Sequence, residues 1–173
     1  EKVGKKIENY GIKVIELGIS KNPITFFRMA KIFKIIHNEK PNLIISWMYH
    51  ANLISLLLSP FYKVIWNIRH SLDDIKREKK LTRLLIYILG WLSKVPLKII
   101  FNSTRSKNQH CNILNYTERN SEVIHNGVNI QEFYPNNKIR REKRKELNLL
   151  NDDIVIGHAA RFHPVKNHTI FLK

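Results

Sequence analysis

Residues Leu97–His125, LKIIFNSTRSKNQHCNILNYTERNSEVIH, read as strand, helix, strand. Leu97–Phe101 is a short apolar run of the kind that forms a strand covered on both faces. Ser103 then supplies an N-cap, and the helix it opens is expected to run to about Leu114. Glu122–His125 is a second short strand. A strand, a helix and a strand within about thirty residues predict a βαβ unit with parallel strands.

The same alternation extends toward the N-terminus. Val64–Ile68 and Leu43–Trp47 are apolar strand-like runs, separated by a helix through Leu53–Leu58 that Pro60 stops. Ser71 with Asp74 forms a capping-box pattern that opens a helix over Lys76–Leu92. Earlier still, Glu1–Tyr10 reads as a helix, with Val3 and Ile7 one turn apart and Gly11 as its stop. Ile12–Leu17 is a further strand. Asn22-Pro23 starts a helix with Phe26, Met29, Ala30, Phe33 and Ile36 along one face, and Pro41 ends the linker after it. Five strands, four of them separated by helices, predict an α/β fold: a Rossmann-like, mostly parallel sheet with helices on both faces.

Toward the C-terminus the chain changes character at Val123–Pro135, VIHNGVNIQEFYP. Asn126-Gly127 is a pair that tolerates positive φ, so a turn is expected there. Asn136–Leu149 is a highly charged helix, and Asn151-Asp152-Asp153 a turn. Ile154–His158 is expected to be a new strand, followed by the loop AARFHPVKNH. The organisation read from this is a first domain over 1–135, a linker helix and turn over 136–153, and the start of a second Rossmann-like domain over 154–173.

Composition narrows the partners. The 173 residues hold 30 Lys+Arg against 14 Asp+Glu, a net charge of +16, with 43% hydrophobic residues, ample for a core. Such a balance favours anionic partners: nucleic acid, anionic lipid or phosphorylated small molecules. Heavy use of Lys, Ile and Asn offers a purely compositional alternative. The single cysteine, Cys111, forms no disulfide within the chain and suits a reducing compartment. The chain opens on Glu1 without a signal peptide, directly on helix-like sequence, which reads as a piece of a longer protein. Leu81–Phe101 is the most apolar segment, but Arg83, Lys94, Pro96 and Lys98 interrupt it too often for a membrane span.

In an open parallel sheet, ligands bind beyond the carboxyl ends of the strands. Those ends deliver Met48, Tyr49 and His50; Arg69, His70 and Ser71; Asn102, Ser103 and Thr104; Asn126 and Gly127; and Arg161, His163 and Lys166. Each has a plainer explanation. A histidine at a strand end also satisfies backbone groups, Ser103 and Thr104 also cap helices, and the basic run Lys138–Lys145 also serves as a solvated face. Two histidines at successive strand ends, His50 and His70, favour a site. His110-Cys111 and His125 lack a zinc-ligand spacing. No G-x-G-x-x-G, Walker A or G-x-S-x-G motif occurs. No D-x-D occurs either, so a bound pyrophosphate needs protein cations. Arg161 and Lys166, in one loop before a helix start, fit that need.

Five stretches in order carry a family resemblance: PNLIISWMYHANL at Pro41–Leu53, VIWNIRHS at Val64–Ser71, FNSTRSKNQH at Phe101–His110, VIHNGVNIQEFYP, and IGHAARFHPVKNH at Ile156–His168. Together they resemble glycosyltransferase family 4, the retaining, metal-independent enzymes of the GT-B fold. The resemblance implies two Rossmann-like domains facing across a cleft, the first binding the acceptor and the second a nucleotide-diphospho-sugar. It assigns His70 a catalytic place near the reacting sugar, without a nucleophilic role. Arg161 and Lys166 hold the donor diphosphate as it leaves, Asn126 and Gly127 mark the domain crossing beside the cleft, and Tyr49 and His50 line the acceptor side. No metal and no cofactor are implied beyond the sugar nucleotide as co-substrate.

The sequence departs from the family pattern. The family's Asp after NG-hydrophobic is Asn129 here, and His163 and Asn167 stand where Asp is frequent. A glycine-rich loop after a first strand and the paired glutamates of the donor domain do not occur. The resemblance therefore implies a fragment that lacks the first strand and is inactive alone. The acceptor is expected to be a lipid-linked or cell-surface glycan precursor, and the location cytoplasmic, peripheral to an anionic membrane face. The Ile75–Leu92 helix, with Lys76, Arg77, Lys79, Lys80 and Arg83 beside apolar residues, is the face expected to dock there. Two other functions compete: a basic nucleic-acid-binding Rossmann-like domain, and a GT-B hydrolase or epimerase of nucleotide sugars. Against the first, Trp47, Trp66 and Trp91 lie in apolar runs rather than between exposed basics.

Overall fold

A computed structural model describes residues 2–18, 26–72, 75–163 and 166–172. The elements in chain order are α1 (Lys2–Glu8), α2 (Phe26–Glu39), β1 (Leu43–Trp47), α3 (Met48–Leu56), β2 (Lys63–Ile68), α4 (Lys80–Trp91), β3 (Lys98–Phe101), α5 (Thr104–Leu114), β4 (Ser121–Val123), α6 (Asn137–Glu146) and α7 (His168–Phe171). The strands form one parallel sheet in the order β1-β2-β3-β4. Each neighbouring pair is joined through one helix, as a parallel pairing requires. The chain divides into two compact units, 1–126 and 127–173.

Side chains alternate across a strand, so one face of the sheet carries Val64, Trp66, Ile68, Ile99 and Phe101. All five are buried, and they share a core with Leu85, Ile86 and Leu89 of α4 and Leu114 of α5. The opposite face of β1 leaves Leu43, Ile45 and Trp47 exposed. Gly90 lets α4 approach the α5 end: a Cβ there would stand 2.2 Å from the Leu114 carbonyl and 3.2 Å from the Tyr116 ring. Tyr116, buried, donates its hydroxyl to Ile86 O at 3.2 Å and so closes the same seam.

Under α3 lies a buried polar network. Ser55 Oγ donates to Asn52 O at 2.8 Å and accepts from Trp66 Nε1 at 3.2 Å. The Asn52 amide is oriented to donate to Ser46 O at 3.2 Å and Met48 O at 3.1 Å. Those bonds secure a sharp turn: Met48, directly after β1, has φ of +68°. A left-handed conformation costs an ordinary residue on the order of 1 kcal/mol, and satisfied buried carbonyls are what hold such a residue in place. The turn sends Tyr49 into the core and leaves His50 exposed.

Several elements differ from the sequence reading. Ile12–Leu17 is not a strand; residues 12–18 have no regular structure, and none of the described residues pairs with the free edge of β1. The segment is instead tied to α2 by an ion pair between Lys13 and Glu39. Ile154–His158 is likewise not a strand, and Ile154, Val155 and Ile156 are exposed. A strand exists by hydrogen-bonding a neighbour, and an apolar run without one stays irregular.

The helix expected over Lys76–Leu92 is broken into a 3-10 turn at Ile75–Arg77 and α4, because Lys79 is extended (φ −57°, ψ 141°) and its side chain makes no cap bond. Asp74 of the proposed capping box and Asn22-Pro23 lie outside the described residues. The helix read at Leu53–Leu58 begins earlier, at Met48. The cap expected at Ser103 is present, and Asn136 supplies a second one at α6. Ser103 Oγ accepts from Ser106 N at 3.1 Å, and Asn136 Oδ1 accepts from Lys138 N and Ile139 N at 3.0 and 3.1 Å. No described helix is long and apolar enough to cross a membrane.

Candidate functional site

The carboxyl ends of the four strands lie side by side because all run parallel. His70 sits two residues beyond β2, half-exposed, its Nε2 3.6 Å from Glu78 Oε1. Two helices, α5 and α3, hold it. Its carbonyl accepts from Ser106 Oγ at 2.6 Å. Two residues on, Leu72 N donates to Gln109 Oε1 at 2.8 Å. Its ring stands edge-on to Tyr49 with centroids 6.2 Å apart. The first turns of α5 thus clamp the loop that presents His70.

Behind it is His110, fully buried on α5. Nδ1 lies 2.7 Å from Ser106 O. A carbonyl only accepts, so Nδ1 carries the proton. Nε2 is then an acceptor, and the Tyr49 hydroxyl donates to it at 2.8 Å. Burial pushes the His110 pKa down to about 4; its bond to Ser106 O works the other way, and the neighbouring His70 lowers it further. Burial also raises the Tyr49 hydroxyl well above its ordinary range. Tyr49 and His110 therefore form a neutral, proton-ordered pair. Tyr49 backs the site from within the core; its hydroxyl is already occupied. The position of His110 was open to reading as one line of a helix, Ser106, His110 and Leu114 at i, i+4, i+8, all three buried.

Arg69, named at its strand end without a role, ties three strand ends together. Its guanidinium carbon lies 4.7 Å from the centroid of the Trp47 ring, at the end of β1. Nε donates to Asn67 Oδ1 at 3.3 Å in its own strand. Nη1 donates to Asn126 Oδ1, just beyond β4. Asn126 is thereby held at the strand ends. Asn102, just past β3, has a buried Oδ1 without a hydrogen-bond partner among the described residues.

The expected turn at Asn126-Gly127 is corrected. Gly127 takes no positive φ, a Cβ there would meet nothing within 4 Å, and residues 124–129 carry no turn. The chain turns later, around Asn129. Its Oδ1 accepts from Gln131 N at 3.1 Å, and its carbonyl from Phe133 N at 2.8 Å. An Asx-type turn uses only the side-chain oxygen, so Asn129 keeps the geometric part of what an Asp would do there.

Arg161 and Lys166 lie in the second unit, both exposed. Their loop is closed by rings: His158 packs against His168 and Phe171 with centroids 4.7 and 5.1 Å apart, and Phe162 stacks on His168 at 5.3 Å. His168 Nε2 donates to Arg161 O at 3.0 Å, and Lys166 N to His163 O at 2.8 Å. The helix start expected near Asn167 is a single turn, α7, with Asn167 left-handed and no side-chain cap. Its dipole is correspondingly slight, and the cations carry the electrostatics. Pro164 and Val165, between them, are outside the described residues.

Among the described residues no cluster of three His, Cys, Asp or Glu could hold a metal ion. A concavity of about 660 Å³ lies at the opposite end of the sheet, lined by Lys94, Lys98, Arg119 and Asn120, remote from the strand ends described above.

Residues 5–132 match the family described as Glycosyltransferase Family 4. The presumed glycosyltransferase EpsF of Bacillus subtilis (strain 168) is 39% identical over 51 residues, 30% of this chain and 13% of that protein. Crystal structures of HepE from Anabaena are similar in fold. The complex with UDP-glucose superposes with a TM-score of 0.70 at 18% identity, covering 98% of this chain and 45% of that one. The complex with UDP gives 0.72 at 18% identity, covering 96% and 44%. The chain thus spans less than half the length of these solved relatives. The likeness places the parallel sheet and its helices in the GT-B class of fold.

Proposed function

Because the chain belongs to Glycosyltransferase Family 4, we propose that it forms the acceptor-side part of an enzyme that moves a sugar from a nucleotide-diphospho-sugar to a glycan or lipid-linked precursor, with retention and without a metal. The single observation that supports this best is His70: a half-exposed imidazole beyond a central strand, its backbone clamped by Ser106 and its ring backed by the neutral Tyr49–His110 pair. The domain reading belongs to the same proposal, with an acceptor-side domain over 1–135, a linker over 136–153 and the start of a donor domain over 154–173.

In this mechanism the acceptor hydroxyl attacks the anomeric carbon from the face the diphosphate leaves. A leaving phosphate oxygen takes the hydroxyl proton. The protein orients the reactants and neutralises the charge that develops on the diphosphate. Arg161 grips an oxygen pair and Lys166 supplies a point charge. His70 hydrogen-bonds the donor sugar, His50 faces the acceptor, and Asn126-Gly127 line the crossing. UDP-sugars are the donors to try first, because HepE was crystallised with UDP-glucose. The acceptor would be presented at the cytoplasmic face of a membrane, to which the protein attaches peripherally.

The test is affinity for UDP in a protein that joins this chain to a complete donor domain. Lys166→Ala should weaken UDP binding roughly 10- to 100-fold, the loss of a charge-assisted contact, with the fold intact. Unchanged affinity would sink the diphosphate assignment. The 173 residues alone should transfer no sugar. Turnover of a sugar nucleotide without any acceptor would favour a hydrolase or epimerase instead.

A further inference from the structure

Arg69 is the first residue beyond β2, at the end of the sheet where ligands of an open parallel fold bind. Its guanidinium is held by three groups, and all three are neutral. The Trp47 ring centroid lies 4.7 Å from its carbon, Asn67 Oδ1 accepts from Nε at 3.3 Å, and Asn126 Oδ1 accepts from Nη1. A ring face and two amide oxygens orient a cation without cancelling its charge. Among the described residues no Asp or Glu pairs with Arg69. Glu78, the carboxylate that follows in this loop, stands by the His70 imidazole instead.

Arg144 shows what a purely structural arginine looks like in this chain. It is buried, and its Nε and Nη2 are both spent on backbone carbonyls. Arg69 is exposed, and its Nη2 bonds none of the described residues. The open side of the fork matches the oxygen pair of a phosphate or a carboxylate. The three neutral contacts fix the side chain before such a group arrives, which lowers the ordering cost of binding it. In the reading above the donor diphosphate is held by Arg161 and Lys166, on the second unit. An anion at Arg69 therefore belongs to the other substrate.

We infer that Arg69 determines acceptor specificity: it recognises an oxyanion, phosphate or carboxylate, that the acceptor carries close to the hydroxyl taking the sugar. His70 is the next residue in the chain, which sets this oxyanion beside the reacting centre. The inference rests on the reading that the first unit is the acceptor side of a glycosyltransferase, and it gives that acceptor a charge.

Titration of the 173-residue chain with small acceptor mimics, read by the NMR signals of the Trp47 indole and the Asn126 side-chain amide, tests this without a donor. Glucose 1-phosphate should move both signals along a saturable curve, and neutral methyl glucoside should not. Glucuronate distinguishes the two oxyanions: a tighter response than to glucose 1-phosphate assigns a carboxylate, a weaker one a phosphate. Arg69→Gln should weaken the glucose 1-phosphate response roughly tenfold or more. Arg69→Lys keeps the charge and loses the fork, so it should fall between the two, and it keeps the test decisive if Arg69→Gln lowers the thermal midpoint. Equal responses to glucose 1-phosphate and methyl glucoside, or a lysine variant and a glutamine variant that both respond like the wild type, overturn the inference and leave Arg69 as a tie between strand ends. In the protein joined to a complete donor domain, Arg69→Gln should leave UDP affinity unchanged. A loss like that expected of Lys166→Ala would assign Arg69 to the donor diphosphate and overturn the inference. A local response to glucose 1-phosphate with no UDP affinity in the joined protein would overturn the proposed function and leave the oxyanion site standing.

Discussion

Val64–Ile68 and Ile154–His158 are alike on paper: short apolar runs, each followed by a basic loop. The first is a central strand with Trp66 and Ile68 fully buried; the second is irregular, with Ile154 exposed by 90%. The difference lies in their neighbours. Val64–Ile68 has β1 on one side and β3 on the other, and three helices supply its core. Ile154–His158 has no strand beside it among the described residues. The first unit is held by apolar burial, the second by local polar contacts. Arg144, buried on α6, donates from Nε to Leu150 O at 2.9 Å and from Nη2 to Asp153 O at 2.8 Å. Asp153 Oδ2 in turn accepts from Leu150 N at 2.6 Å. Strand formation therefore belongs to the sheet, whereas a cap or a turn belongs to a few residues.

The contrast breaks most visibly at the core. Trp66→Ala should cost about 3–5 kcal/mol, through the cavity it leaves and the bond it removes from Ser55. Chemical denaturation should show the whole sheet lost in one step. If only part of the sheet melted, the first unit would not be one cooperative body.

A pH titration comes next. His110 has a folded pKa of about 4, below the ordinary 6.5, so between those values the unfolded chain binds a proton that the folded chain refuses. Stability is thus fully present above pH 6.5 and falls as the pH drops toward 4, by roughly 3 kcal/mol in all. His110→Gln should flatten that slope. An unchanged slope in the variant would assign the acid sensitivity to other groups.

Arg144→Ala tests the second unit. It leaves the carbonyls of Leu150 and Asp153 without their donor, worth about 1–3 kcal/mol locally. Amide exchange over residues 144–153 should rise while the denaturation midpoint of the sheet stays put. Asn136→Ala, the loss of an N-cap, should cost about 1 kcal/mol of α6 helicity, read by the chemical shifts of residues 137–146. A shift of the sheet midpoint in either variant would erase the distinction between the two kinds of stability.

Much of the candidate site was legible before any coordinates. His50 and His70 follow strands that were read at nearly their observed bounds, and Ser103 caps α5 as its residue type predicts. Tyr49 was placed at the right strand end but on the wrong side of its surface, because the left-handed turn at Met48 decides which way it faces. Arg69 is legible as a strand-end residue but not by its role, because its partners, Trp47 and Asn126, are brought to it only by the sheet order. His110 looked like half of a His-Cys pair, and its burial beneath Tyr49 depends on packing between α3 and α5 that no local pattern announces.

What the amino-acid order determined by itself is local: alternating strand and helix signals, the caps at Ser103 and Asn136, the charge of +16, and the motifs that mark the family. These depend on side chains a few residues apart, so spacing suffices. Only the tertiary structure decided which apolar runs become strands, that one side of α4 is buried and the other bare, that the turn after β4 falls at Asn129 and not at Gly127, and that a neutral histidine stands behind His70. Each of these depends on which distant groups come within hydrogen-bonding or van der Waals range, and no residue carries that information until its neighbours are in place.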